Sequence, residues 1–409
     1  MESLGERRRE WAVVITSREI ADAANEWQLR HDVVEKDYVL GWLLAGIAAH
    51  ASTERWAFKG GTCLRKCWFE TYRFSEDLDF TVTDDRDLDP VHLSTEFTEI
   101  GRWMHERAGL ELQVDEQSFR QRKNRRGQPT IQARIAYVGP LRTPTAPKVK
   151  LDLTADEVIV TALERRPVFH PFTDVESSGL GHSDHLTDVW SYSIVELLGE
   201  KLRALAERCR PRDLYDVVHM HRHPDLLGRS SEVNDVLARK CVHAGIDVPT
   251  RTSMSATPFR EEVETEWSNM LGHQLPHLPP FAAFWAELDE VFEWLDGKVL
   301  VPLQSIPVRE EVEDWRPARY MTNWRTGAPI EMIRFAGANR LKIVIDYRAE
   351  QGRRGPRVVE PYAFRRSRAG ALLLFVRNDR GLVRSYRVDR IAGVSVEPET
   401  FEPRFRVEF

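Results

Sequence analysis

The spacing of apolar residues changes several times along this chain, and each change predicts a different element. Between positions 17 and 50, Leu29, Val33, Leu40, Leu43, Leu44 and Ile47 recur at roughly helical spacing, with Lys36 interrupting the stripe. That stretch reads as helical. A further helix is expected over 93–108, then strands near 110–114 and 131–137, the second turning Ile131, Ala133, Ile135 and Tyr137 inward. Positions 148–154 alternate throughout. Val149, Leu151 and Leu153 must face a core, which leaves Lys148, Lys150 and Asp152 on the opposite face. Helical spacing returns at Ile194, Leu197, Leu198 and Leu205, with Lys201 in the same stripe. Residues 221–300 read as helices packed through Trp267, Phe281, Phe284, Trp285, Phe292 and Trp294, with a bend at Pro276, Pro279 and Pro280. A linker follows from 297 to about 329, holding Pro302, Pro307 and Pro317. Beyond it, short strands are expected over 333–347, 357–364, 371–377, 383–388 and 394–397, the pattern of a small β-barrel or sandwich.

Composition narrows the class. A chain of 409 residues has room for two or three domains. It contains no run of about eighteen uncharged apolar residues, so no membrane span is expected, and its first ten residues lack the apolar core of a signal peptide. Cys63, Cys67, Cys209 and Cys241 have no zinc-type spacing, and Cys63 and Cys67 read as core-facing neighbours on one helix. A reduced, cytoplasmic setting is the expectation. The net charge is −6, yet residues 301–409 carry 21 Lys and Arg against 14 Asp and Glu. An acidic body with a basic tail does not match a general DNA binder, which is basic overall. The segment 17–24 is too acidic for a DNA-reading helix-turn-helix. A basic run, Arg120-Gln-Arg-Lys-Asn-Arg-Arg126, reads first as a solvated hairpin tip and second as a phosphate-contacting loop.

The densest chemistry lies in Phe58-Lys-Gly-Gly-Thr62 and Arg73-Phe-Ser-Glu-Asp-Leu-Asp-Phe80. Asp77 and Asp79 sit two apart in an apolar strand, so both carboxylates project from one face while Leu78 and Phe80 face the core. Such a pair repels itself unless a cation lies between, and Mg²⁺ is held by one or two carboxylates plus substrate phosphates. The Gly-Gly-Thr turn offers backbone N–H groups and a hydroxyl to a triphosphate. Taken alone, an Asp-x-Asp more often caps or solvates a strand end. Asp152 becomes a third carboxylate if its strand neighbours that of Asp77 and Asp79; otherwise it pairs with Lys150 on an exposed face. Three carboxylates suffice for two Mg²⁺ ions.

With these motifs in this order, residues from about 34 (Val-Glu-Lys-Asp-Tyr38) to about 295 resemble the AbiEii type of nucleotidyltransferase, the toxin half of abortive-infection toxin–antitoxin pairs. The resemblance implies a site of Asp77, Asp79, Asp152, Lys201 and Asp216, the first three as metal ligands. Phosphate binding would fall to Lys59, Gly60, Gly61, Thr62, Arg73, Ser75 and Lys201. In Arg210-Pro-Arg-Asp-Leu-Tyr-Asp-Val217, Asp216 is the favoured catalytic acidic residue and Asp213 a structural partner or helix cap, a choice between the two that sequence leaves open. Also implied are an NTP substrate, two Mg²⁺ ions, an RNA acceptor (the tRNA 3′ end) and a cognate antitoxin.

The segment 331–409 looks like a WYL domain, an Sm/SH3-like ligand-sensing barrel. The likeness rests on Val-Val-Glu-Pro-Tyr362, Arg365-Arg-Ser-Arg368, Gly-Ala-Leu-Leu-Leu-Phe375 and Ser-Tyr-Arg-Val-Asp-Arg-Ile391. The naming Trp-Tyr-Leu triad appears as Leu372, Leu373 and Leu374, whereas Arg366, Arg368, Arg387 and Arg390 remain to bind phosphate or nucleic acid. The basic tail is expected to attract RNA.

The expected fold is α+β: a nucleotidyltransferase-type mixed sheet with helices over 1–190, a helical unit over 191–300, a linker over 301–330, and a small all-β barrel over 331–409. Two other functions fit the same sequence, a non-catalytic ligand-sensing regulator and a nucleotidyltransferase acting on a small molecule.

Overall fold

The computed structural model describes residues 15–69, 71–175, 180–181, 184–256, 259–308, 312–313, 330–349 and 354–409. Most of the expected linker therefore lies outside the described residues.

Two sheets organise the chain. The first is mixed and eight-stranded: β1 (Ala57–Lys59), β2 (Asp77–Thr81), β3 (Glu111–Gln113), β4 (Phe119–Lys123), β5 (Pro129–Val138), β6 (Lys148–Thr154), β7 (Glu164–Phe169) and β8 (His185–Ser191). Its order is β3-β5-β6-β2-β1-β8-β7, with β4 beside β5. Strand β6 runs parallel to β2 and antiparallel to β5. The period-two reading is met residue for residue: Leu78, Phe80, Ile131, Ala133, Ile135, Tyr137, Val149, Leu151 and Leu153 are all buried on one face. On that face Phe58 and Phe80 pack ring to ring at 5.0 Å, and Phe97 bridges Trp56 and Phe119.

Helices cover both sides of the sheet unequally. α1 (Ser17–Trp27) and α2 (His31–Ala49) replace the single stretch expected over 17–50. α2 is buried nearly all round, with Asp37 inside it clamped by Arg65 and Lys66. A short helix, α3 (Gly60–Cys63), continues through wider π-type turns to Trp68, and buries the free Cys63 and Cys67. α4 (Pro90–Ala108) starts on the Asp89 cap with Pro90 at its first position and packs on β3 and β4. The helical unit then runs through α5 (Ile194–Arg208), α6 (Pro211–His221), α7 (Ser230–Ala244), α8 (Arg251–Ser255), α9 (Phe259–Leu271) and α10 (Phe281–Leu295). Strands β7 and β8 escaped the sequence reading. β7 alternates poorly because Arg165, Arg166 and Pro167 interrupt it, and Arg166 lies over the Trp68 ring at 3.9 Å instead of in solvent.

The second sheet is antiparallel, in the order β13-β12-β11-β10-β14, from β10 (Leu341–Arg348), β11 (Arg354–Ser367), β12 (Leu372–Asn378), β13 (Val383–Arg387) and β14 (Ile391–Thr400). A two-residue strand, β9 (Val312–Glu313), pairs with β11. The strand expected from 333 is corrected: Ile330–Ala338 is a helix, α11. Its apolar residues fall three and four apart as well as adjacent, and short apolar runs of this kind do not distinguish helix from strand. Leu372, Leu373 and Leu374 are all buried, two facing one core and Leu373 the other, so no ring stacks with a ligand there.

The two parts are joined by polar contacts as well as apolar ones. Asn339 accepts from Tyr215 at 3.1 Å, and Glu287 binds both Arg222 and Arg340.

Candidate active site

At the end of β1 the chain turns sharply toward the β2 carboxylates. Gly60 has φ +78°, and a Cβ there would lie 2.1 Å from Asp79 Oδ2. A Cβ on Gly61 would meet Arg73 Nη2 at 2.6 Å and Ser75 Oγ at 3.0 Å. Only glycine has both the backbone freedom and the small profile for the first position. The glycine pair thus presses α3 onto the acidic strand. Thr62 is buried, and its hydroxyl donates to the Asp77 carbonyl at 2.6 Å. That hydroxyl locks α3 to β2 rather than standing free for a phosphate.

Asp79 and Asp152 are register partners on adjacent parallel strands, and Asp77 is the partner of Lys150. Asp79 is pushed up to about 6, first by burial and then by the charges of Asp152 and Asp77, against the pull of Lys59 and Lys201. Burial and Asp77 raise Asp152 as well. Asp77 Oδ1 is buried without a hydrogen-bond partner, although the Lys150 ammonium lies 3.2 Å away. Lys150 pairs with Asp77 and not with Asp152, so the alternative reading of Asp152 as the partner of Lys150 is not met. Among the described residues, no three His, Cys, Asp or Glu groups converge as a ready metal cage. The residues nevertheless fit a divalent ion of the Mg²⁺ type, which needs one or two carboxylates and completes its shell with phosphate and water. A carboxylate oxygen without a hydrogen bond and mutually repelling neighbours are what such an ion relieves.

The expected cationic residues are more heavily engaged than the sequence suggested. Lys59 is buried between Glu157 at 2.8 Å and Glu200 at 3.5 Å. Lys201 binds Asp216 at 2.7 Å and Asp213 at 3.2 Å. Asp216 also takes two hydrogen bonds from Arg73 and one from Tyr72. Burial works against its charge, but Arg73 and Lys201 outweigh it and hold Asp216 far below the usual carboxylate range. Asp213 is forked by Arg208 at 2.6 and 2.7 Å. Ser75 is half-buried, beside the Gly61 backbone.

Arg208 and Glu157 were missed by the sequence reading. Arg208 is about half exposed and lies close enough to Asp79 for their charges to interact. Its sequence signal was a place seven residues after Lys201, on the same face of α5. Glu157 carried no signal, because it sits on an irregular segment.

Family comparison identifies the two parts. The model described as nucleotidyl transferase AbiEii toxin, type IV TA system, matches residues 42–294, and the WYL domain model matches residues 330–396. Among solved structures, the nucleotidyltransferase toxin MenT4 of Mycobacterium tuberculosis is 19% identical; the alignment covers 69% of this chain and 90% of that one, with TM-score 0.50. A nucleotidyltransferase-like protein of Paracoccidioides brasiliensis is 18% identical over 56% of this chain and 92% of its own, with TM-score 0.29. The proteasome accessory factor B/C of Arthrobacter aurescens is 19% identical over 51% and 32%, with TM-score 0.18. The last two superpose too loosely to inform the fold. No curated protein matches the chain.

Proposed function

The chain belongs to the AbiEii family of nucleotidyltransferase toxins, and from that premise we propose that it moves a nucleoside monophosphate from an NTP to a terminal hydroxyl of RNA. The tRNA 3′ end is the acceptor that the family resemblance suggests, and capping it would stop translation. One observation carries this reading: Asp79 and Asp152 stand side by side in register beneath a glycine whose Cβ would fill the space against Asp79.

Mg²⁺ held by Asp77 and Asp79, with Asp152 beside them, would supply Lewis-acid stabilisation of the transferring phosphoryl group. The chain's own groups do the rest. Backbone N–H groups at Gly60 and Gly61 and the Ser75 hydroxyl face the phosphates. Lys201 and Asp216 act as positioning residues: with Arg73 they fix α5 and α6 against the acidic strand. Arg208, on the same face of α5, offers the accessible positive charge for a leaving pyrophosphate.

A cognate antitoxin is implied by membership of a type IV toxin–antitoxin family. Among the described residues no helix is long and apolar enough to cross a membrane, and the proposed site of action is the cytoplasm, where NTP and RNA are found. The test is incubation of the full chain with each labelled NTP, Mg²⁺ and total bacterial RNA. Label in an RNA band with one NTP is the expected result. Labelling only of a small-molecule acceptor, or of nothing, would overturn the RNA assignment.

A further inference from the structure

The polar face of the first sheet is covered at one end and open at the other. Over β1 it is closed by Glu157 and by Glu200 of α5, which bury Lys59. Over β4, β5 and β6 it is exposed, and it is lined with cations. Register places Arg120 opposite Gln132 and Arg122 opposite Thr130. It also places Arg134 opposite Lys150, and Ala136 opposite Lys148. Directly opposed residues share a face, so Arg120, Arg122, Arg134, Lys148 and Lys150 all stand on the side that presents Asp152, Asp79 and Asp77. All five are exposed.

Four of these five charges stand without a carboxylate partner among the described residues, and the fifth has one. Among the described residues no carboxylate forms an ion pair with Arg120, Arg122, Arg134 or Lys148, and Lys150 reaches only Asp77. Glu111 is the sole acidic residue of β3, β4 and β5 and lies at the far end of the sheet; Glu76 stands beside Lys150 but is bound by Lys36. The hairpin tip beyond β4 differs, since Arg125 pairs with Glu207 and Arg126 with Asp156. The C-terminal sheet also differs. Arg354, Arg365, Arg377 and Arg387 are bound by Asp346, Glu408, Glu360 and Asp389, so these four arginines are engaged in place.

Unpaired guanidinium and ammonium groups on a flat, solvated face are suited to a phosphodiester backbone, which needs charge without base-specific pockets. Arg120, Gln132, Asp152 and Asp79 fall in one row across four neighbouring strands, a path of about 14 Å at the usual strand spacing. We propose that this face is the track for the acceptor RNA strand: its phosphates lie along β4–β6, and its terminal hydroxyl is delivered to the carboxylates at β2 and β6. The track rests on the reading of the chain as an RNA-directed nucleotidyltransferase, and it moves the main RNA contact from the basic tail to the sheet.

The test uses the full chain carrying Arg120→Glu and Arg122→Glu together, neither of which touches the carboxylates. Binding of a fluorescent tRNA is measured across a salt series, with NTP affinity and thermal stability in parallel. The track predicts RNA affinity at least tenfold weaker near physiological salt. It also predicts a salt slope shallower by roughly 1.4, from about 0.7 per single-strand contact, with NTP affinity and Tm unchanged. A variant that binds RNA with wild-type affinity and slope overturns the track while leaving the transferase reading intact. A wild-type chain that neither binds nor labels RNA overturns the function reading and the track with it. A single-stranded DNA of equal length separates general polyanion attraction from acceptor use, because the track requires labelling of the RNA and loss of that labelling in the variant.

Discussion

The Arg73 guanidinium forks onto the Asp216 carboxylate, with Nε 2.7 Å from Oδ1 and Nη2 2.8 Å from Oδ2. This pair is fully buried and joins the approach to the acidic strand to a helix 143 positions later. Asp216 is thus committed to architecture, whereas Asp77 Oδ1 accepts no hydrogen bond and meets only the half-exposed Lys150 ammonium. Asp216→Ala is expected to cost about 3–5 kcal/mol by leaving Arg73 and Lys201 buried without their anion. Asp77→Asn should abolish nucleotidyl transfer with no loss of Tm. Thermal denaturation beside a transfer assay separates the two, and retained transfer in Asp77→Asn would sink the metal role.

Lys201→Met should fall between these cases. Methionine fits the helix stripe, but Asp216 would lose one of its two cations while Asp213 kept only Arg208. The expected outcome is a stability loss of about 1–3 kcal/mol and a lower kcat, with KM for NTP little changed. A large rise in KM for NTP at unaltered Tm would instead put the lysine directly on the triphosphate.

Gly60→Ala and Gly127→Ala make a matched pair. Both glycines lie at φ near +79°, but only Gly60 has a neighbour where a Cβ would go; Gly127 has nothing within 4 Å. Gly127→Ala should lose about 1 kcal/mol from backbone strain, and Gly60→Ala more, because its Cβ would also overlap Asp79. Transfer should disappear only in Gly60→Ala, and equal activities in the two variants would refute the close approach to Asp79.

Glu26 on α1 is pushed up to about 7, first by burial and then by Glu331 of α11, with Arg334 opposing. A carboxylate raised from 4.5 keeps its proton longer folded than unfolded, so stability falls as pH rises from 4.5 to 7 and stays low above. Glu26→Gln should therefore raise Tm at pH 8 and leave it unchanged near pH 4. A gain independent of pH would mean that charge at Glu26 is not what strains the α1–α11 contact.

Removing residues 330–409 should destabilise the remaining chain. The deletion strips Asn339 from Tyr215 and Arg340 from Glu287, and it exposes apolar residues continuous with the first core. Loss of the cooperative unfolding transition in the truncated protein is expected. A truncated chain with wild-type Tm would show the two parts to be independent.

What was legible in the sequence was whatever repeats at short range. Period two placed Asp77 and Asp79 on one face and Asp152 on the same side of its own strand, and the inward residues of β5 and β6 followed likewise. Helical period placed Lys201 in an apolar stripe, where it is indeed buried. Where local signals conflict, the reading failed. β7 is broken by Arg165, Arg166 and Pro167, and α11 is a nine-residue, mostly apolar segment, interrupted by Glu331 and Arg334, whose periodicity suits either element.

By itself the sequence determined the family, the two kinds of architecture and the faces on which the acidic residues stand, because side-chain direction follows from backbone geometry one or two residues at a time. Tertiary structure alone decided who pairs with whom. Lys201 is taken by Asp213 and Asp216, Lys59 by Glu157 and Glu200, and Thr62 by a backbone carbonyl, while Arg120, Arg122, Arg134 and Lys148 keep their charge exposed. Electrostatic partnership acts through space over a few ångströms, and residues a hundred positions apart come that close only when the sheet and helices have packed.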